Sequence, residues 1–163
     1  MYDFFVLDKS QKEIWLPRLF DLFYANMSVI TPNGKSYDEQ KTDWMTELLP
    51  AIDKAPRKII LAFIDGDLAG YLQYYTKDDL LMIEELQINE KYQRTRLCYR
   101  LLKHMIGILP DRITTVEAYS HKSNQNSRSI MKNMGMQEFD EEGHFVHMRG
   151  YAQYIKEKKL SRH

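Results

Sequence analysis

The chain has 163 residues, 28% of them charged and 44% apolar, and its 23 basic side chains balance 23 acidic ones. That length predicts one domain with its own core, while the balanced charge and the lack of any apolar run near about 18 residues indicate neither a nucleic-acid nor a membrane partner. Because a single cysteine excludes a disulfide framework and a zinc site built on paired thiolates, we expect a cytoplasmic protein.

Short aromatic and β-branched runs alternate with helical apolar stripes along the chain, which predicts a mixture of strands and helices. A serine followed three residues later by a glutamate satisfies free N–H groups at a helix start, and this pattern precedes each of the first two helices. The first predicted elements are a strand at 1–7, a helix after Ser10 and Glu13 that Pro17 kinks or restarts, and a helix from Ser36 and Glu39 to near Pro50. Strands are then predicted at 58–64 and 68–76, joined by an Asp65-Gly66-Asp67 hairpin turn, and at 80–88, followed by a helix that Gly107 and Pro110 end. The last predicted elements are a strand at 112–120, a helix at 124–134 stopped by Gly135, a strand at 144–148 and a charged tail at 151–163.

The strand, helix and strand between residues 80 and 120 come in direct succession. Such an order implies two parallel strands joined by a right-handed crossover, whereas the earlier hairpin implies an antiparallel pair. The sequence therefore predicts an α/β (α+β) fold, with a mixed sheet and helices on its faces.

Two segments carry patterns that point to a family. Residues 83–98 read IEELQINEKYQRTRLC and run from a strand through a basic loop into a helix, and residues 124–136 read NQNSRSIMKNMGM. They resemble the strand with its Q/R-x-x-G-x-G/A loop and the N-x-x-A-x-x-x-Y-x-x-x-G-F helix of the GCN5-related N-acetyltransferase (GNAT) superfamily, within a likeness that covers residues 58–148. The resemblance implies a mostly antiparallel, twisted sheet with a central parallel strand pair, about four flanking helices, and a single acetyltransferase-like domain over residues 1–163.

The first segment, residues 83–98, has the features of an anion-binding site. A strand that runs straight into a helix leaves N–H groups of the first helical turn unpaired, and the helix dipole adds a positive potential there. In the family this loop binds the pyrophosphate of acetyl-CoA, and backbone N–H groups of the preceding strand polarise the thioester carbonyl. By resemblance, the residues that contact acetyl-CoA here are Leu86, Gln87, Ile88, Gln93, Arg94, Thr95, Arg96, Leu97, Cys98 and Tyr99.

The loop departs from the family pattern at two positions. Arg96 stands where the family has its first glycine, and Cys98 occupies the second small position. Arg96 either obstructs the pyrophosphate or turns outward and adds a cation beside it. The alternative is a capped helix with a solvated basic first turn, and Cys98 is expected to pack rather than to act as a nucleophile.

The second segment is expected to contact the pantetheine arm. Asn124 matches the family's asparagine and also suits an ordinary helix N-cap, and Ser127 and Met131 follow it in the pattern. Met131 replaces the tyrosine that protonates the departing thiolate in the family, and methionine cannot donate a proton. Solvent or another tyrosine would have to replace it, and Tyr99 and Tyr119 are the sequence candidates, with Tyr119 assigned to the catalytic set.

Acetylation of an amine requires the uncharged form, so a base must remove the ammonium proton. Glu84 and Glu85 lie in an apolar strand, where consecutive side chains point to opposite faces, so only one faces the acceptor unless a bulge intervenes. Glu84 is named first because it matches an acidic residue of some aminoglycoside-acetylating members. At least one of the two is expected to be only solvated or salt-bridged. No metal site is predicted, since His144 and His147 would lie on opposite faces of a strand.

The sequence therefore predicts an N-acetyltransferase that moves an acetyl group from acetyl-CoA to a primary amine of a small molecule or peptide by direct attack. The rival prediction is a catalytically impaired acyl-CoA-binding or protein-interaction domain, because Arg96 and Met131 both depart from the pattern. The expected partners are acetyl-CoA and an amine acceptor, whose identity stays open, and a homodimer is a habit of the family.

Overall fold

The computed structural model describes residues 1–54 and 56–158, which form a seven-stranded mixed sheet with helices. The strand order is β1-β2-β3-β4-β5-β7-β6, with β4 and β5 parallel and the pairs β1/β2, β5/β7 and β6/β7 antiparallel. This confirms the predicted fold class, with five α-helices among the described residues. The elements are β1 (Tyr2–Val6), α1 (Lys12–Ile30), α2 (Tyr37–Ile52), β2 (Lys58–Ile64), β3 (Asp67–Lys77), β4 (Leu80–Ile88), α3 (Leu97–Gly107), β5 (Thr115–His121), α4 (Gln125–Asn133), β6 (Gln137–Glu142), β7 (Phe145–Tyr151) and α5 (Ala152–Glu157).

The chain divides into two compact units. The first unit comprises residues 1–73 and 85–94, and the second comprises residues 74–84 and 95 onwards. The prediction of one domain over the whole chain stays a prediction, as do the cytoplasmic location and the homodimer. Within the described ranges, no helix is both long and apolar enough to cross a membrane.

The first unit buries its core between α1, α2 and the strands β2 and β3. The core side chains include Leu16 and Leu19 of α1 and Ile52 of α2, all at most 1% exposed. The turn between β2 and β3 has positive φ values at both Asp65 and Gly66, as a two-residue hairpin turn of type I′ requires, and this confirms the predicted hairpin.

The two predicted capping boxes have different outcomes. Ser36 and Glu39 form the predicted box at the start of α2, each side chain accepting from the other's backbone N–H at 3.2 and 2.8 Å. The box at Ser10 and Glu13 is wrong, because Asp8 instead accepts from the backbone N–H of Ser10 and caps a short 3-10 turn before α1. The helix then continues through Pro17 without restarting.

The second unit buries its core between α3, α5 and one face of the sheet. Leu102 and Met105 of α3, Val116 of β5 and Ile155 of α5 line one apolar cavity. As predicted, Gly135 ends α4 with a positive φ of 101°. Two elements of this unit are absent from the sequence prediction: the acidic strand β6, and the helix α5, which occupies part of the predicted charged tail. Residues 159–163 of that tail lie outside the described residues.

Candidate active site

The parallel pairing of β4 and β5 ends where two predicted catalytic residues follow. The last paired residues are Ile83 and Ala118, so Glu84 and Tyr119 come next on their strands. Met82 pairs with Glu117, and side chains alternate between the faces of a strand. Glu84, Glu117 and Tyr119 therefore leave the same face of the sheet, at the point where the two strands stop pairing. We call this face of β4, β5, β7 and β6 the open face.

Glu117 is the buried acid at the centre of the open face. It is only 6% exposed and accepts hydrogen bonds from His147 Nε2 at 2.9 Å and from Arg149 Nε at 2.6 Å. A carboxylate can only accept, so His147 must carry its proton on Nε2. The two donors provide a hydrogen bond to each carboxylate oxygen of Glu117, and the bond from His147 fixes the position of its ring.

Tyr119 stacks on that ring and keeps its hydroxyl proton. The two ring centroids lie 4.3 Å apart with an angle of 15° between the planes, and Tyr119 remains 45% exposed. Partial desolvation, together with the carboxylates of Glu142, Glu117 and Asp140, raises the pKa of Tyr119 above its ordinary value. The hydroxyl therefore stays protonated at neutral pH and can donate a hydrogen bond.

Strand β6 adds carboxylates and an aromatic ring to the open face. Asp140 pairs with His147 in register, in the same row as Tyr119, and Glu142 pairs with Phe145 in the next row. Phe139, at an irregularity in β6, is 47% exposed and lies 4.2 Å from the His147 ring. Neither Asp140 nor Glu142 forms a salt bridge with any described residue. The sequence prediction missed this part of the site because it missed β6.

The start of α3 follows the basic loop that the sequence prediction assigns to an anion. The helix begins at Leu97, its first turn contains no acidic residue, and Arg96 before it is exposed. The backbone N–H of Leu97 donates to Thr95 Oγ1 at 3.2 Å. Cys98 is buried, and burial raises the pKa of its thiol to about 12, so the side chain packs and is no nucleophile at neutral pH.

The residues predicted to contact the pantetheine arm cap α4 or pack in the core. Asn124 caps the helix by accepting from the backbone N–H of Ser127 at 3.1 Å. Met131 is 4% exposed and belongs to the core of the second unit. Tyr99 on α3 accepts from Asn133 Nδ2 at 3.2 Å, which ties the start of α3 to the end of α4 and leaves the hydroxyl hydrogen of Tyr99 available.

The remaining predicted residues lie in the first unit. Leu86, Gln87 and Ile88 end β4, and Gln87 is buried with its amide donating to Glu85. Gln93 and Arg94 follow a short 3-10 turn and are exposed, with Arg94 at a positive φ of 64°. A residue that the sequence prediction missed, Asn26 of α1, contacts this segment. Across the described part of the chain, no three His, Cys, Asp or Glu side chains come together to hold a metal ion.

The chain is similar to known acetyltransferases in sequence pattern and in fold. A family model described as the acetyltransferase (GNAT) family matches residues 16–136. A search of curated proteins found no match. Among solved structures, the PaiA N-acetyltransferase of Thermoplasma acidophilum in complex with coenzyme A is 18% identical over 93% of this chain and 99% of its own, with a TM-score of 0.75.

Two other solved structures have similar folds. The ribosomal-protein-S18-alanine N-acetyltransferase of Escherichia coli is 15% identical over 93% of this chain and 94% of its own, with a TM-score of 0.66. The aminoglycoside acetyltransferase AAC(6′)-Ib in complex with coenzyme A is 15% identical over 96% of this chain and 98% of its own, with a TM-score of 0.70. At these identities the likeness establishes the fold.

Proposed function

Because the chain belongs to the acetyltransferase (GNAT) family, we propose that it transfers an acetyl group from acetyl-CoA to a primary amine. Membership confirms the predicted superfamily and the class of acyltransferase. The observation that carries the proposed reaction is the end of the β4/β5 pairing, because it brings a carboxylate, Glu84, and a protonated phenol, Tyr119, to one face of the sheet.

The residues proposed to hold acetyl-CoA are those of the sequence prediction. The start of α3 suits a pyrophosphate, because its first turn lacks acidic residues and Arg96 adds an exposed cation. The backbone N–H groups of Leu86, Gln87 and Ile88 are proposed to hold the thioester end, and Asn124 and Ser127 the pantetheine arm. Support for this ligand comes from the similar structures, two of which were determined with coenzyme A.

Glu84 is proposed to act as the base. It accepts a proton from the ammonium of the acceptor, directly or through water, and the freed lone pair attacks the thioester carbonyl. The C–N bond then forms as the C–S bond breaks, and the thiolate leaves. The thiolate takes its proton from solvent or from the hydroxyl of Tyr119, whose raised pKa keeps it protonated at neutral pH.

The open face favours an acceptor with more than one positive charge. Asp140 and Glu142 are exposed carboxylates, and the half-exposed ring of Tyr119 lies in the same row as Asp140 and can attract an organic cation, whereas the Phe139 ring already holds the Arg149 guanidinium at 4.2 Å. The single ammonium of a monoamine is the group that gives its proton to Glu84. A diamine has a second ammonium, which can pair with the carboxylates of Asp140 and Glu142. We therefore propose a polycationic amine as the acceptor class.

Replacing both carboxylates, Asp140→Asn with Glu142→Gln, tests this preference. The KM for cadaverine is expected to rise about tenfold, while the KM for pentylamine, its monoamine counterpart, stays unchanged. The matched control is Glu47→Gln, which removes an exposed acid from α2. An equal change for both amines, or no change, would contradict a role for these carboxylates in choosing the acceptor.

The function itself is tested by calorimetry with acetyl-CoA and by release of free thiol in the presence of a panel of amines. Binding together with release on at least one amine is the expected result. An absence of binding at millimolar acetyl-CoA would refute the proposal. Binding without release on any amine would favour the second candidate, a catalytically impaired acyl-CoA-binding or protein-interaction domain, which Arg96 and the buried Met131 support.

A further inference from the structure

A chain of side-chain amides in the first unit ties α1 to the end of β4. Asn26 Nδ2 donates to Gln87 Oε1 and to the backbone carbonyl of Ile88, both at 2.9 Å. Gln93 Nε2 donates to Asn26 Oδ1 and to the same Ile88 carbonyl, both at 3.1 Å. The Gln87 amide in turn donates to Glu85. Asn26 therefore joins two side chains and one backbone carbonyl that are distant from it in sequence.

The contacts form one ordered network rather than separate surface bonds. Gln87 is 4% exposed, and both ends of its amide are used, one accepting from Asn26 and one donating to Glu85. The Ile88 carbonyl accepts from two donors, so both of its lone pairs are used. If Asn26 were removed, Gln87 Oε1 would be left buried without its donor, and an unsatisfied buried acceptor costs free energy.

The residues that this network holds are those proposed to bind acetyl-CoA. Leu86, Gln87 and Ile88 carry the backbone N–H groups assigned to the thioester end, and Gln93 begins the loop assigned to the pyrophosphate. Asn26 is the shared partner of Gln87, Ile88 and Gln93, although it lies on α1 and belongs to neither family pattern.

We propose that Asn26 is a positioning residue that holds the cofactor-binding segment 86–93 in its binding conformation before acetyl-CoA arrives. The inference rests on the proposed function. Binding to an ordered segment avoids the entropy cost of ordering it, so a residue that fixes the segment raises affinity without touching the ligand. At saturating acetyl-CoA the bound ligand itself orders the segment, including the N–H groups proposed to polarise the thioester carbonyl, so Asn26 is expected to act on affinity and to leave kcat nearly unchanged.

Two substitutions of Asn26 and one control test the role. Asn26→Ala removes all three hydrogen bonds, and Asn26→Asp keeps the acceptor for Gln93 but loses both bonds donated to Gln87 and Ile88. Both variants are expected to raise the Kd for acetyl-CoA about tenfold, with kcat at saturating acetyl-CoA within about twofold of wild type. The control is Asn33→Ala, which removes an exposed asparagine from a turn of the same unit and is expected to leave the Kd unchanged.

Amide hydrogen exchange in the ligand-free protein provides a second measurement. Loss of positioning is expected to speed exchange at residues 86–93 while exchange in α2 stays as in wild type. A lower melting temperature with unchanged Kd and unchanged local exchange would make Asn26 merely structural and overturn the inference. If wild type itself fails to bind acetyl-CoA, the proposed function fails, and the exchange experiment still decides whether Asn26 orders the segment.

Discussion

Replacing Glu84 with glutamine is expected to lower kcat about 100-fold or more while the Kd for acetyl-CoA stays unchanged. The amide has the size of the carboxylate but cannot accept the ammonium proton, so the acceptor stays charged and has no lone pair for attack. Glu84 lies one residue beyond the last β4/β5 pair and is assigned no contact with the cofactor. Steady-state rates of thiol release and calorimetry measure the two quantities on the same preparation.

Glu85→Gln is the matched control, because it makes the same chemical change one residue along the strand. Glu85 accepts a hydrogen bond from the buried Gln87 and belongs to the first unit, whereas Glu84 shares the open face with Tyr119. A loss of kcat confined to Glu84→Gln assigns the base to Glu84. If only Glu85→Gln loses activity, the base is Glu85, and if neither does, the amine loses its proton without help from this strand.

Most of the fold could be predicted because local sequence and tertiary packing agree. Gly66 allows the positive φ of the hairpin turn, Ser36 and Glu39 cap α2, and Gly135 ends α4. The prediction failed where packing overrides composition. Strand β6 contains four acidic residues and has low intrinsic strand propensity, and its backbone pairs with β7 all the same. At the N-terminus, Asp8 competes with Ser10 for the cap, and nothing in the spacing alone decides between them.

The candidate site was predicted as individual residues and not as an arrangement. Glu84 and Tyr119 were each named from sequence, but only the register of β4 against β5 places them on one face. The pairing of Glu117 with His147 and Arg149 joins positions 30 and 32 residues apart, which no local pattern can indicate. Asn26 gives a fainter signal, as a polar residue within the apolar stripe of α1, and its partners lie more than 60 residues away.

Gly70→Ala is expected to lower the free energy of unfolding by about 2–3 kcal/mol and to weaken acetyl-CoA binding. A Cβ at Gly70 would lie 2.6 Å from the backbone oxygen of Gln87 and 2.9 Å from Ile88 Cδ1. Because the oxygen belongs to the backbone, the overlap with the new Cβ can be removed only if β3 and the end of β4 move apart. That movement would displace residues 86–88, which are proposed to hold the thioester. Denaturant unfolding followed by calorimetry on the folded variant measures both effects.

Gly107→Ala is the matched control for this substitution. Gly107 is the last residue of α3, and a Cβ there meets no atom within 4 Å, so stability is expected to change by less than about 0.5 kcal/mol or to rise slightly. Loss of stability in Gly70→Ala alone would tie the effect to the close approach of the two strands. If both variants unfold like wild type, β3 does not press against Gln87 in solution. If Gly70→Ala unfolds more easily yet binds acetyl-CoA with unchanged Kd, the end of β4 does not hold the thioester, because the substitution moves that backbone first.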